Sequence, residues 1–174
     1  MKFTELALKG AYLLEIEPVE DERGFFARSW CAKEFGELGL TTNFVQSNIS
    51  YNRYKGILRG MHYQEAPYEE AKLVRCVIGS IYDVIVDLRP DSPTYKKWIY
   101  IELSQNNRYS LYIPKGFAHG FQTLQDHTEI LYQMSEFYHS QSGRGILWND
   151  PQFGIQWPIK NPLLSKKDQN YSLW

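Results

Sequence analysis

GILRGMHYQ, residues 56–64, decides how the rest of the chain is read. It has the apolar residues of a strand (Ile57, Leu58, Met61, Tyr63) and interrupts them with Arg59, Gly60 and His62. Side chains alternate across a strand. A regular strand therefore puts Leu58, Gly60 and His62 on one face and Ile57, Arg59, Met61 and Tyr63 on the other. A single bulge at Gly60 would bring Arg59 to the side of His62. A fixed guanidinium near a titratable imidazole suits a site that holds an anion and moves a proton. The plainer alternative is a satisfied core histidine next to a surface arginine.

Outward from this stretch, short β-branched or aromatic runs recur with turn signals about every ten residues. They cover residues 11–17, 25–26, 44–50, 71–78, 80–89, 97–103, 109–114, 118–123 and 129–136, each bounded by Gly, Pro, Asn, Asp or Ser. Residues 21–24 (DERG) read as a turn. Residues 80–89 alternate Tyr82, Val84, Val86 and Leu88 against Asp83, Asp87 and Arg89. One short amphipathic helix is expected over 31–38, with Gly39 as its stop. The tail after Asn149 is rich in Pro and Trp and is expected to pack across the sheets as irregular structure. The expectation is an all-β sandwich or barrel. No linker, repeat or low-complexity tract divides the chain, so residues 1–174 read as one domain.

The 19 basic and 20 acidic residues leave a net charge of −1, which gives no footprint for nucleic acid or an acidic membrane surface. No apolar run approaches the roughly 18 residues of a membrane span. The first residues, MKFTELALKG, are too interrupted by charge for a signal peptide. Cys31 and Cys76 lack CxxC spacing and read as reduced thiols of a cytoplasmic protein. The 13 Tyr, 9 Phe and 5 Trp favour strands and a pocket that stacks on planar ligands.

A second stretch, IPKGFAHGF at 113–121, makes a tight turn through Pro114 and Gly116 and delivers His119 onto a strand. With Gly56-x5-His62 upstream, it resembles the paired motifs of the cupin jelly roll. Metal-binding cupins have a second histidine where this chain has Gln64. His62 and His119 alone are too few for a stable metal site, so no metal is expected and the histidines are free for acid–base work. Lys72, Tyr132, Asp168 and Arg23 are polar residues with ordinary structural readings: a strand-end lysine, a packed tyrosine, a turn aspartate and a turn arginine. As a set they have chemical sense. His62 oriented by Asp168 could take a carbon-bound proton beside a ketone. Lys72 or His119 could hold the enolate oxygen. Tyr132 could return a proton from the other face, and Arg23 and Arg59 could clamp a diphosphate.

DERGFF, FVQSN, LRGMHYQ, KLVR, DVIVDLR, SPTY, IPKGFAHGF, ILWNDPQFGIQWP and LSKKD run in order from about Asp21 to Asp168. Together they resemble the dTDP-4-dehydrorhamnose 3,5-epimerase family. The resemblance implies a cofactor-free jelly-roll homodimer. Its substrate would be a nucleotide-diphosphate sugar, dTDP-4-dehydro-6-deoxyglucose, with C3 and C5 inverted by proton removal and return beside the C4 ketone. It implies His62 as base, Asp168 as its carboxylate partner, Tyr132 as donor, and Lys72 and His119 near the reacting carbonyl. Arg23, Gln46, Asn48 and Arg59 match nucleotide- and diphosphate-binding positions, Lys167 a further binding position beside the aspartate, and Tyr138 an aromatic near the base. Phe26, Arg28, Ser47 and Gly143 fall at rim positions of the same binding set.

The rim departs from the family pattern. Arg28 stands where a glutamate is common, Ser47 replaces an acid and Ile49 a histidine. Glu70-Ala71 replaces Gln-Gly, and Gly143 replaces a glutamate. Exchanging a carboxylate for a guanidinium reverses local charge and should alter what the nucleotide pocket prefers. Alternatives therefore stand beside the double epimerase. One is a single-centre epimerase or one acting on another nucleotide such as CDP. Another is a ketoisomerase on a related jelly roll or a non-catalytic sugar-binding cupin.

Overall fold

A computed structural model describes Met1–Trp174. Thirteen strands and two short helices follow in order: β1 (Lys2–Glu5), β2 (Tyr12–Glu15), β3 (Val19–Asp21), β4 (Gly24–Phe26), α1 (Ala32–Glu37), β5 (Gln46–Asn52), β6 (Leu58–Gln64), β7 (Lys72–Ile78), β8 (Ser80–Asp87), β9 (Trp98–Ser104), β10 (Ser110–Ile113), β11 (Phe117–Thr123), β12 (Thr128–Met134), β13 (Gly143–Gly145) and α2 (Lys166–Gln169). A six-stranded sheet, β1-β2-β10-β7-β12-β5, faces a five-stranded sheet, β13-β6-β11-β8-β9. β3 and β4 form a separate hairpin. Every strand pair is antiparallel. This is the expected all-β jelly roll with few helices.

The sheets close on Leu8, Val74, Cys76, Ile81, Ile85, Leu111 and Ile130, all buried. The inward row changes character along the barrel. On β7 it runs Lys72, Val74, Cys76, and on β12 their register partners are Met134, Tyr132 and Ile130. One end is thus packed with apolar side chains, and the other is lined with polar ones.

Each sheet also has a covered outer face. Phe35 of α1 is buried on Leu14, Leu73 and Tyr112 of the six-stranded sheet and on Ala71 just before β7. Gly39, at φ +68°, ends that helix, with its N–H donating to Gly36 O and the Leu40 N–H to Phe35 O. The five-stranded sheet is covered by the tail. Phe153, Ile155 and Trp157 pack against Met61, Val84 and Val86. The Trp98 indole donates to Phe153 O at 2.9 Å, and Gln122 exchanges two hydrogen bonds with the Ile159 backbone.

Double coverage explains β8. Its alternation does not separate a core face from a solvent face, because Asp83 and Asp87 are fully buried along with Ile81, Val84, Ile85 and Val86. Asp87 accepts five hydrogen bonds from Arg89, Ser92 and Thr94. Burial alone would raise its pKa, but these donors bring it down to about 2.

Sequence patterning did not indicate β1, β3, β13 or α2. The first two are short and β3 is wholly exposed, while β13 is Gly-Arg-Gly with no apolar signal. Both cysteines are unpaired. No helix is long and apolar enough to cross a membrane.

Candidate active site

The bulge in β6 sets the site. β6 and β11 pair His62 with His119 and Arg59 with Phe121, so three residue steps on β6 match two on β11. The extra residue turns Arg59 inward beside His62, while Met61 packs outward. Gly60 makes this possible. Its φ is +142°, and a Cβ there would lie 2.5 Å from Gly120 Cα.

The polar end of the barrel opens as a cavity of two lobes, about 340 and 360 Å³, joined at Arg59, His62, Lys72 and Tyr132. His62 and His119 stand on the five-stranded sheet, and Lys72 and Tyr132 on the six-stranded sheet. One lobe adds Tyr138, Gly143, Lys167 and Asp168, and the other adds His119.

His62 Nε2 lies 2.6 Å from Asp168 Oδ1. Asp168 reaches it from α2, where Ser165 caps the helix by accepting from the Asp168 N–H at 3.1 Å. Asp168 is buried, which by itself raises a carboxyl pKa. The hydrogen bonds from His62 and Ser165 and the charge of Lys167 outweigh burial and hold it below the usual carboxylate range. The pair is therefore an ionised carboxylate fixing an imidazole.

A second pair sits deeper. His119 Nε2 lies 3.0 Å from both oxygens of Asp83. Burial raises the Asp83 pKa, with His119 and Lys72 opposing. Lys72 Nζ is 3.0 Å from Glu70 Oε1, and both side chains are buried. Arg59 Nε donates to Asn52 Oδ1 at 2.8 Å, which fixes the guanidinium against β5. Burial pushes the Tyr132 phenol above its usual pKa, with the Arg59 charge opposing, so the phenol keeps its proton at neutral pH. No group of three His, Cys, Asp or Glu side chains is placed to hold a metal ion.

The remaining sequence candidates lie outside the lobes. Gln46 accepts from the Tyr138 N–H at 2.5 Å. Asn48 is the register partner of Tyr132, and Ser47 beside it points outward and is exposed. Arg23 pairs with Asp21 on the exposed β3–β4 hairpin, where Phe26 is 78 % exposed. Arg28 pairs with Glu34 of α1 at 3.0 Å. Its charge reversal therefore sits on the N-terminal segment and not in this chain's cavity. Sequence reading did not single out Asp83, Glu70 or Tyr171 as site residues. Asp83 was visible only as a polar residue in an alternating strand, Glu70 only as a departure from the family's Gln-Gly, and Tyr171 gave no signal.

Known proteins resemble this chain in both sequence and fold. The family model described as dTDP-4-dehydrorhamnose 3,5-epimerase matches residues 5–174. The curated dTDP-4-dehydrorhamnose 3,5-epimerase of Shigella flexneri is 47% identical over 171 residues, covering 98% of this chain and 94% of that protein. A Bacillus anthracis epimerase of the same name, solved with TDP and PPi bound, superposes with a TM-score of 0.96 at 46% identity, covering 99% of both chains. The Legionella pneumophila dTDP-6-deoxy-D-glucose-3,5-epimerase, solved in complex with dTDP-4-keto-L-rhamnose, gives a TM-score of 0.92 at 40% identity, covering 99% of this chain and 92% of that one. With the family model matching residues 5–174 and relatives of 40–47% identity covered over nearly their whole length, the chain belongs to the dTDP-4-dehydrorhamnose 3,5-epimerase family.

Proposed function

We propose that this protein is a cofactor-independent isomerase that inverts C3 and C5 of dTDP-4-dehydro-6-deoxyglucose, giving dTDP-4-dehydrorhamnose. The observation that supports it most is the His62–Asp168 pair at 2.6 Å, facing Tyr132 across the cavity from the opposite sheet. Epimerisation needs a base on one face of the sugar ring, an acid on the other, and charge stabilisation at the ketone oxygen. Asp168 occupies Nε2 of His62, which leaves Nδ1 to accept the proton. The electron pair from the C–H bond moves onto the C4 oxygen as an enolate, near Lys72 and His119. Tyr132 then protonates the same carbon from the other face, and the enolate returns to the ketone. The cycle repeats at the second carbon after solvent restores the proton states of His62 and Tyr132.

In this reading Arg59 and Lys167 hold the diphosphate, Tyr138 and Gly143 form the nucleotide side of the cavity, and Gln46 supports that side from outside the lobes by accepting from the Tyr138 N–H. Arg23, Phe26 and Arg28 stand away from their own chain's cavity. They join the binding set as residues offered to a second copy. A homodimer also has a surface to form on. Ile49, Ile78 and Leu131 are exposed on the outer face of β5, β7 and β12. The unpaired thiols suit the cytoplasm.

His62→Ala tests the assignment. Solvent deuterium uptake at C3 and C5 should fall about 10³-fold, while calorimetric affinity for dTDP stays within about twofold, because His62 contacts only the sugar in this account. Undiminished uptake in His62→Ala would overturn the base assignment.

A further inference from the structure

Asp168 is not the only residue that the C-terminal segment brings to His62. Three residues further on, the Tyr171 ring meets the imidazole edge-on, with centroids 5.9 Å apart and planes at 67°. Tyr171 lines the same lobe as His62 and Asp168. Its seat is built into the sheet. Gly145 of β13 is the register partner of His62, and a Cβ at Gly145 would land on the Tyr171 ring. The ring fills the space that the missing side chain leaves, directly beside His62. Lys167 Nζ lies over the same ring at 5.9 Å from its centre. The phenol hydroxyl is buried beside the Lys167 ammonium, so it is the aromatic body of the residue, not its polar tip, that faces His62. The segment is anchored beyond the ring by Trp174, whose N–H donates to Asp150 Oδ2 at 2.7 Å.

We propose that Tyr171 is a positioning residue for His62: Asp168 fixes one imidazole nitrogen, and the Tyr171 ring, seated on Gly145, fixes the plane of the imidazole over the sugar. The proposal rests on the epimerase reading for its catalytic consequence, but not for its structural one. His62 has 42% of its side chain exposed to the cavity. A single hydrogen bond to Asp168 leaves the ring free to tilt about that contact. A wall on its edge removes the tilt, and small misplacements of a catalytic group are costly.

The test compares Tyr171→Phe, Tyr171→Ala and Gly145→Ala, each checked for its melting temperature and its affinity for dTDP. Tyr171→Phe keeps the ring against His62 and loses only the hydroxyl beside Lys167, so kcat for the dTDP-4-keto-sugar should remain within about twofold of wild type. Tyr171→Ala removes the wall and Gly145→Ala displaces it, so both should lose about 10- to 100-fold in kcat. Wild-type kcat in Tyr171→Ala overturns the proposal. So does an equal loss in Tyr171→Phe, which would assign the effect to the hydroxyl. The imidazole resonances of His62, read by long-range proton–nitrogen NMR, separate this proposal from the reaction. They should move or broaden in Tyr171→Ala and Gly145→Ala but not in Tyr171→Phe. If the wild type turns over no keto-sugar, the epimerase reading fails and the resonances still decide the role of Tyr171. Unmoved resonances in Tyr171→Ala overturn it on their own.

Discussion

Tyr132 and His62 project from different sheets into one cavity, and in the proposed mechanism that separation is what lets proton transfer invert a carbon. A base alone exchanges a carbon-bound proton with solvent and returns it to the face it left. Inversion needs a donor on the other face. Tyr132 is held above its usual pKa mainly by burial, so it is available as an acid at neutral pH. Tyr132→Phe should therefore slow net inversion by about 10²-fold or more while slowing deuterium washout less, because washout needs only the His62 face. Following both rates by proton NMR in one sample checks this, and equal losses would deny Tyr132 a separate role. His62, Lys72, Tyr132 and Asp168 each have an ordinary structural reading in the sequence and stood out only as a set and through the motifs that resemble the family. Asp83 did not, because an acid at alternate positions of a strand reads as a solvated face. Here that face is the barrel interior, and only His119 and Lys72 make the burial tolerable.

At the scale of the element, β6 carries the arrangement. Its bulge brings Arg59 and His62 into one cavity, and the bulge depends on a residue without a side chain. Gly60→Ala would place a methyl group 2.5 Å from Gly120 Cα at a backbone φ of +142°. Overpacking and backbone strain should together lower stability by about 3 kcal/mol. Urea unfolding gives the number. A change under about 0.5 kcal/mol would mean that β6 reaches its bulge without needing glycine. The Arg-Gly-x-His spacing made this bulge legible before any coordinates. The strand runs were legible too, with ends displaced by a residue or two: 80–89 became Ser80–Asp87, and 44–50 became Gln46–Asn52. β13 and α2 were not. β13 is held by pairing with β6, and α2 by its Ser165 cap and the contact of Asp168 with His62. Long-range partners of this kind leave no local periodicity to read.

Across the whole molecule, each sheet is covered on its outer face by a segment that is not part of it, α1 on one side and the tail on the other. Both sheets are therefore buried on two faces over much of their area, and the barrel can leave one end unfilled for substrate while the rest stays packed. The residues 31–38 and the Trp-rich tail were recognisable as helix and irregular cover, but the sequence could not say which sheet each would cover. It also could not show that Arg23, Phe26 and Arg28 stand apart from the cavity, since order along the chain places them beside the other binding motifs. The central claim is that this protein, with its own side chains and no added cofactor, inverts two carbons beside a ketone. Proton NMR of the purified protein in deuterated water with dTDP-4-dehydro-6-deoxyglucose tests it most directly. The account predicts deuterium at both C3 and C5 together with the L-configured product. Deuterium at one carbon only, or at neither, would contradict it.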